Sequence, residues 1–163
     1  MRAIDFSSAR PSDQYGAPSR GRILLAEDEP MLCKLNAEVL THAGYQVDVA
    51  EDGAVAWQAL QVYHYDLLIT DNEMPNVSGL ELLTKLKEAG LELPVIMATG
   101  SLPEEEFVRR PWLQPTDVLL KPYTLGELLG VVRKNLVNFV QAHMQTAMPS
   151  NLQAPEASPR LQA

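Results

Sequence analysis

Residues 66–80 read DLLITDNEMPNVSGL. Leu67, Leu68, Ile69 and Thr70 form a short run that is apolar throughout rather than alternating, the pattern of a strand covered on both faces, as in a parallel sheet. The run ends on Asp71 and passes into NEMPNVSG, a loop holding Pro75 and Gly79, before a leucine-rich helical pattern begins. A strand that runs into an acid and then into a Pro- and Gly-containing loop is an active-site layout.

Working outward, four more short apolar runs flank this one: RILLA (22–26), QVDVA (46–50), PVIMA (94–98) and VLL (118–120). The segments between them carry helical patterns. Met31, Leu35 and Val39 fall at i, i+4 and i+8, the expected apolar face of a first helix, and Gly44 sits just past its end, where a left-handed residue is wanted. Gly90 closes a later helix in the same way. Thr124 and Glu127 make a capping-box pattern that opens the last helix, and Ser101 with Glu104 offers a similar one. Trp57 and the leucines of the second and third helices are read as core. Strand and helix alternating five times predict an open α/β fold with right-handed crossovers. The last helix is long: Leu125, Leu128, Leu129, Val132, Leu136, Phe139 and Val140 keep helical spacing beyond what one sheet face covers. Self-association through its second half makes a homodimer a candidate assembly.

The 163 residues are 46% hydrophobic and 21% charged, an ordinary globular composition, which fits one domain with extensions. The net charge of -8 has the wrong sign for a chain that would bind nucleic acid by neutralising phosphates. The single cysteine, Cys33, forms neither an internal disulfide nor a zinc site, which suits a reducing, cytoplasmic setting. No apolar run approaches a membrane span, and the first residues lack the apolar block of a secretion signal. Residues 1–20, dominated by Ser, Pro, Gly, Ala and Arg, and residues 145–163, of similar character, lack apolar periodicity, so they are expected to be a disordered arm and a disordered tail around a domain at 21–144.

Ligands of open α/β sheets bind at the carboxyl ends of the strands. Those ends are followed by Glu27-Asp28-Glu29, Asp71-Asn72-Glu73, Thr99-Gly100-Ser101 and Lys121-Pro122. Carboxylates brought together repel unless a cation neutralises them, and oxygen ligands without His or Cys nearby suit Mg²⁺. Lys121 supplies a fixed positive charge and Thr99 a hydroxyl, groups that hold phosphoryl oxygens. Asp71 is the carboxylate nucleophile of the set. His42, His64 and His143 lie in no catalytic context and receive no role.

ILLAEDEP, DLLITDNEMPNVSGLELL, PVIMATGS and LLKPY together resemble, in order and spacing, the signature stretches of the receiver domain of two-component response regulators. The resemblance covers about residues 21–137. It implies a flavodoxin-like (βα)5 doubly wound parallel sheet of strand order 2-1-3-4-5. It implies aspartyl phosphorylation at Asp71 by a histidine kinase or histidine phosphotransfer protein. Asp28 and Asp71 would then ligate Mg²⁺ directly, with the backbone carbonyl of Glu73 as a further ligand and Glu27 acting through water. Lys121, followed by a cis bond to Pro122, would pair with the phosphoryl oxygens, and Thr99 would move to meet them. Such a protein is a signalling phosphoprotein acting on a downstream protein target, not an enzyme for an external substrate. Slow self-dephosphorylation would be its only hydrolysis, with Glu73 and Ser101 placed to tune water access. No DNA-binding output module is recognised in the sequence.

Two features depart from that family. The position three residues before Lys121, often an aromatic that swings inward, is Val118. Pro103, Pro111 and Pro115 predict a short or irregular fourth helix, because a proline inside a helix removes a hydrogen bond and clashes with the preceding turn. Trp112 and Tyr123 are candidate reporters of a different readout. Two other readings compete. A pseudo-receiver would keep the fold as an interaction module that works without phosphate. A Mg²⁺-dependent phosphohydrolase would need a second Asp two residues after the nucleophile, where this chain has Glu73.

Overall fold

The computed structural model describes residues 2–3 and 20–146. Among the described residues, six parallel strands form one sheet: β1 (Arg2–Ala3), β2 (Arg22–Ala26), β3 (Gln46–Ala50), β4 (Leu67–Thr70), β5 (Val95–Thr99) and β6 (Asp117–Leu120). Their order is β1-β3-β2-β4-β5-β6, so the five long strands keep the expected 2-1-3-4-5 arrangement. The helices are α1 (Pro30–His42), α2 (Gly53–Val62), α3 (Gly79–Glu88), α4 (Glu104–Arg109) and α5 (Leu125–Thr146), with a 3-10 turn at Pro111–Leu113.

Residue alternation along each strand sends side chains to two cores. Ile23, Leu25, Ile69, Ile96, Ala98 and Leu119 pack on one side with Cys33, Ala37 and Leu40 of α1 and Leu128, Val132 and Leu136 of α5. Leu24, Ala26, Leu68 and Val95 pack on the other with Ala56, Ala59 and Leu60 of α2 and Leu82, Leu83 and Leu86 of α3. β4 and β5 are buried at every position, which is why their sequences are apolar without alternation. Gly44 and Gly90, with φ of 93° and 65°, follow the ends of α1 and α3 as anticipated.

Several expectations are corrected. The apolar face predicted for α1 is largely outward: Met31 is 75% exposed, Leu35 46% and Val39 half-buried, while Cys33, Asn36, Ala37 and Leu40 are buried. Small side chains let the helix lie close to the strands, and a pattern search weighted toward large apolar residues misses them. Ser101 and Glu104 do not cap α4, whose N-cap is Pro103 without a side-chain hydrogen bond. Part of the expected arm is structured, since Arg2 and Ala3 pair in parallel with Asp48 and Val49 of β3. α5 runs to Thr146, two residues past the expected end of the domain. The remainder of the expected arm and tail, and the side chain of His143, lie outside the described residues.

Other expectations hold. α4 has six residues, none of them buried, and ends before Pro111. α5 has 22 residues, roughly 33 Å at 1.5 Å per residue. Among its described side chains the last buried one is Leu136, and Val137, Val140 and Met144 beyond it are exposed. The Thr124–Glu127 capping box is formed, the Thr124 amide donating to Glu127 Oε2 at 2.7 Å and the Glu127 amide to Thr124 Oγ1 at 3.2 Å. Asp48, polar within QVDVA, accepts from Arg22 Nε at 2.8 Å and from the Tyr65 hydroxyl at 3.0 Å. The Arg22 guanidinium lies 4.9 Å from the Tyr63 ring centre and 4.8 Å from that of Tyr65, so the buried acid in the middle of β3 is matched by a cation from the start of β2. No helix among the described residues is long and apolar enough to cross a membrane.

Candidate functional site

The carboxyl ends of β2, β4, β5 and β6 meet at one rim, and each delivers the residues expected of it. Glu27 and Asp28 follow β2, Asp71 follows β4, Thr99 ends β5 and Lys121 follows β6. Backbone bonds carry the ladder into the loops: the Glu27 amide donates to Ala50 O, the Asp71 amide to Ala26 O and the Lys121 amide to Thr99 O. The side chains therefore project from rigid strand ends. The Lys121–Pro122 peptide is cis.

Glu27, Asp28 and Asp71 each place a carboxylate oxygen within 4.8 Å of the others. Glu27 and Asp71 are buried, at 3% and 7% exposure, whereas Asp28 is open to solvent. The ammonium of Lys121 bridges the buried pair, 2.9 Å from Glu27 Oε2 and 2.5 Å from Asp71 Oδ2. Burial raises the Glu27 carboxyl above its ordinary value, and the bond from Lys121 offsets this only in part. Desolvation would lower the Lys121 ammonium, but its bonds to Asp71 and Glu27 outweigh that and hold it above its ordinary value. Three clustered carboxylates against one ammonium, which bonds two of them, leave an excess of negative charge, with Asp28 on the exposed side. An all-oxygen donor set of this kind fits a hard divalent cation such as Mg²⁺.

The loop after Asp71 is folded back on itself. The Glu73 amide donates to Asp71 Oδ1 at 3.1 Å, the Gly79 amide to Asn72 O at 3.2 Å, and the Leu80 amide to Asn72 Oδ1 at 3.1 Å. Gly79 is required there by space: a Cβ would stand 2.3 Å from Asp71 O. Ser78 then caps α3 in a capping box with Glu81. Across the rim, the Thr99 hydroxyl donates to Ser101 O at 2.9 Å, and the Ser101 hydroxyl donates to Glu73 Oε1 at 3.1 Å. Ser101, expected as a cap, thus ties the β5 loop to the β4 loop. Glu29 caps α1, accepting from the amides of Met31 and Leu32 at 3.0 and 2.6 Å, and so holds the acidic turn in place.

Every residue predicted for the site is at this rim. Two polar contacts around it escaped the sequence reading. Asn36 of α1 donates to the Tyr123 hydroxyl at 2.8 Å, linking a helix to the segment after Lys121. Asp52, the N-cap of α2, accepts from Asn76 Nδ2 at 2.6 Å and so grips the loop after Asp71. An acid just ahead of Gly53 and a helical run is a capping signal, but nothing in the sequence pairs it with Asn76.

Comparison with known proteins gives a consistent picture. The family described as response regulator receiver domain matches residues 23–133. The response regulator RppA of Synechocystis sp. is 41% identical over 114 residues, which cover 69% of this chain and 49% of RppA. The sensor protein EvgS of Escherichia coli O157:H7 is 40% identical over 120 residues, 74% of this chain and 10% of EvgS. The chain thus spans about half, or far less, of the length of these curated relatives. Among solved structures, the signal receiver domain of a putative Luxo repressor protein from Vibrio parahaemolyticus superposes with a TM-score of 0.71 at 25% identity, covering 79% of this chain and 99% of that one. The response regulator TrrA from Thermotoga maritima, solved in complex with Mg²⁺-BeF, gives 0.60 at 31% identity, covering 69% and 96%. With that match across two thirds of its length, and with the strand order and rim just described, the chain belongs to the response regulator receiver domain family.

Proposed function

We propose that the chain is a phosphorylatable receiver whose switch is Mg²⁺-dependent phosphorylation of Asp71. The observation that carries this reading is the Lys121 ammonium held between Glu27 and Asp71 inside a cluster of three carboxylates. A carboxylate oxygen of Asp71 attacks the phosphorus of a phosphohistidine on a kinase or phosphotransfer protein. The P–N bond breaks, its electron pair returns to the imidazole, and an acyl phosphate remains on Asp71. Mg²⁺, when bound, neutralises the charge that builds on the phosphoryl oxygens. Glu27, Asp28, Asp71 and the Glu73 carbonyl are the groups proposed to hold it. Lys121 exchanges its bond to Asp71 for one to a phosphoryl oxygen. Thr99 exchanges its bond to Ser101 O for one to another, which biases an existing equilibrium of the β5–α4 segment and so changes the surface offered to a protein target.

A phosphate-independent interaction module is the competing reading. Val118 in place of an aromatic, and an α4 with no buried residue, favour it. One experiment separates the two: intact mass and heteronuclear NMR with Mg²⁺ and either acetyl phosphate or beryllofluoride, on wild type and Asp71→Asn. A labile adduct and beryllofluoride-dependent shifts, both abolished by Asp71→Asn, are expected. No adduct, with Mg²⁺ moving no signal near Asp28 or Asp71, would leave the interaction module as the function.

A further inference from the structure

We propose that Asp52 is a positioning residue for the loop that carries the Glu73 carbonyl, acting through Asn76 rather than by touching the ion or the phosphoryl group. This rests on the Mg²⁺ reading above. The loop's two ends are already tied, through Asp71 Oδ1 to the Glu73 amide and through Asn72 to Gly79 and Leu80. Between those ends Met74 is buried in the second core and Val77 packs against it, while Pro75 and Asn76 at the tip are exposed, so the tip's side-chain hydrogen bond is the one Asn76 makes. Asn76 sits there in the left-handed region, with φ of 63°, a conformation asparagine tolerates better than most residues. Its side-chain amide donates to Asp52 Oδ2 at 2.6 Å, while Asp52 Oδ1 accepts from the Val55 amide at 2.7 Å. One buried carboxylate thus caps α2 with one oxygen and holds the loop with the other. Its pKa is kept below the ordinary value, first by the Val55 bond.

The neighbouring residue shows how closely the two elements meet. A Cβ on Gly53 would stand 2.1 Å from Val77 O, so the α2 N-terminus lies directly against the loop backbone. Glu73 lies between the anchored Asp71 end and this gripped tip. Groups that orient a ligand from behind change affinity by about ten- to a hundredfold when lost.

The two duties of Asp52 can be separated. Asp52→Ser keeps a good N-cap but removes the second acceptor. Asn76→Gly keeps access to positive φ but removes the donor. We expect each variant to bind Mg²⁺ about tenfold more weakly than wild type, read from amide shifts of residues 71–74 on titration with Mg²⁺ alone. We expect the double variant to be no weaker than either single one, since both remove the same contact. Measured without the ion, the Gly79 and Leu80 amides should exchange faster in both variants, while the α2 amides stay protected. Mg²⁺ affinities within twofold of wild type, or effects that multiply in the double variant, would overturn the proposal. Should the wild type itself show no Mg²⁺ response, the phosphorylation reading falls, and Gly79 and Leu80 exchange still decides the latch: unchanged protection overturns it, faster exchange upholds it.

Discussion

Burial pushes the Cys33 thiol up to about 11, helped by the charges of Glu27 and Glu29 nearby. The thiolate is the reactive form, so the native protein should react negligibly with a disulfide reagent at pH 7.5 and stoichiometrically once unfolded in guanidinium. A native-state reaction as fast as that of the unfolded chain would show that α1 does not pack as described. The same burial explains what was legible at this scale. Glu27, Asp71, Thr99 and Lys121 could be named from sequence because strand ends place them, and strand ends announce themselves by where an apolar run stops. Asp52, Asn76 and Asn36 could not, and Tyr123 was singled out only as a reporter, without its bond to Asn36. Each is an ordinary polar residue in a cap, turn or helix, and its partner lies 24 residues away in one pair and 87 in the other. No local pattern encodes such a meeting.

Elements differ in how firmly the fold holds them. α4 has no buried side chain and no side-chain cap, and its ion pairs, from Arg109 to Glu105 and Glu106 and from Arg110 to Glu106, are largely solvent-exposed and worth little. Its amides should therefore exchange at a local-opening rate, well ahead of those of α3 and the first half of α5, when native-state hydrogen exchange is followed at neutral pH. Protection equal to that of α3 would contradict this. The prolines made the shortness of α4 readable, whereas the inward face of α1 was hidden because Cys33, Ala37 and Asn36 do not look like a core stripe. β6 and α5 are joined by a clasp that strand periodicity also could not reveal. Asp117 accepts from Lys134 Nζ at 2.7 Å and from Asn135 Nδ2 at 3.1 Å. Partial burial pushes its carboxyl up, but those bonds outweigh it and hold the group below its ordinary value. A depressed folded value means stability that is present above the unfolded carboxylate pKa of about 3.9 and is lost as pH falls through the folded one. Asp117→Asn should thus lower stability at pH 7 by up to about 1 kcal/mol, the contact with exposed Lys134 being screened by water. The deficit should shrink as pH falls below the carboxylate range, as followed by urea unfolding at pH 7 and at acid pH; an equal deficit at both would mean that the charge of Asp117 contributes nothing.

At the scale of the whole molecule, the rim sets function against stability. The chain carries a net charge of -8, and three of its carboxylates are gathered within 4.8 Å of one another, with the Lys121 ammonium bonded to two of them. Like charges held that close destabilise the folded state unless a cation joins them, and functional clusters are commonly arranged against stability in this way. Removing one carboxylate should therefore help the fold and harm the site. Asp28 is the residue to change, because it is exposed and its loss opens no cavity. Without divalent ions, Asp28→Asn should melt about 1–2 °C higher than wild type, by relief of repulsion. With Mg²⁺ the order should reverse. An ion that binds only the folded state at ten times its dissociation constant adds about 1.4 kcal/mol, roughly 5 °C for a domain of this size. The variant, short of one proposed ligand, should gain much less at the same concentration. Scanning calorimetry at constant ionic strength, with and without Mg²⁺, reads both effects in one experiment, since constant ionic strength removes the general screening that any salt would supply. A pair of melting temperatures that cross between the two conditions is what a cation-dependent acidic site requires. Curves that keep their order would mean that the three carboxylates are tolerated for some reason other than the ion, and the chemistry assigned to Asp71 would lose its counter-charge.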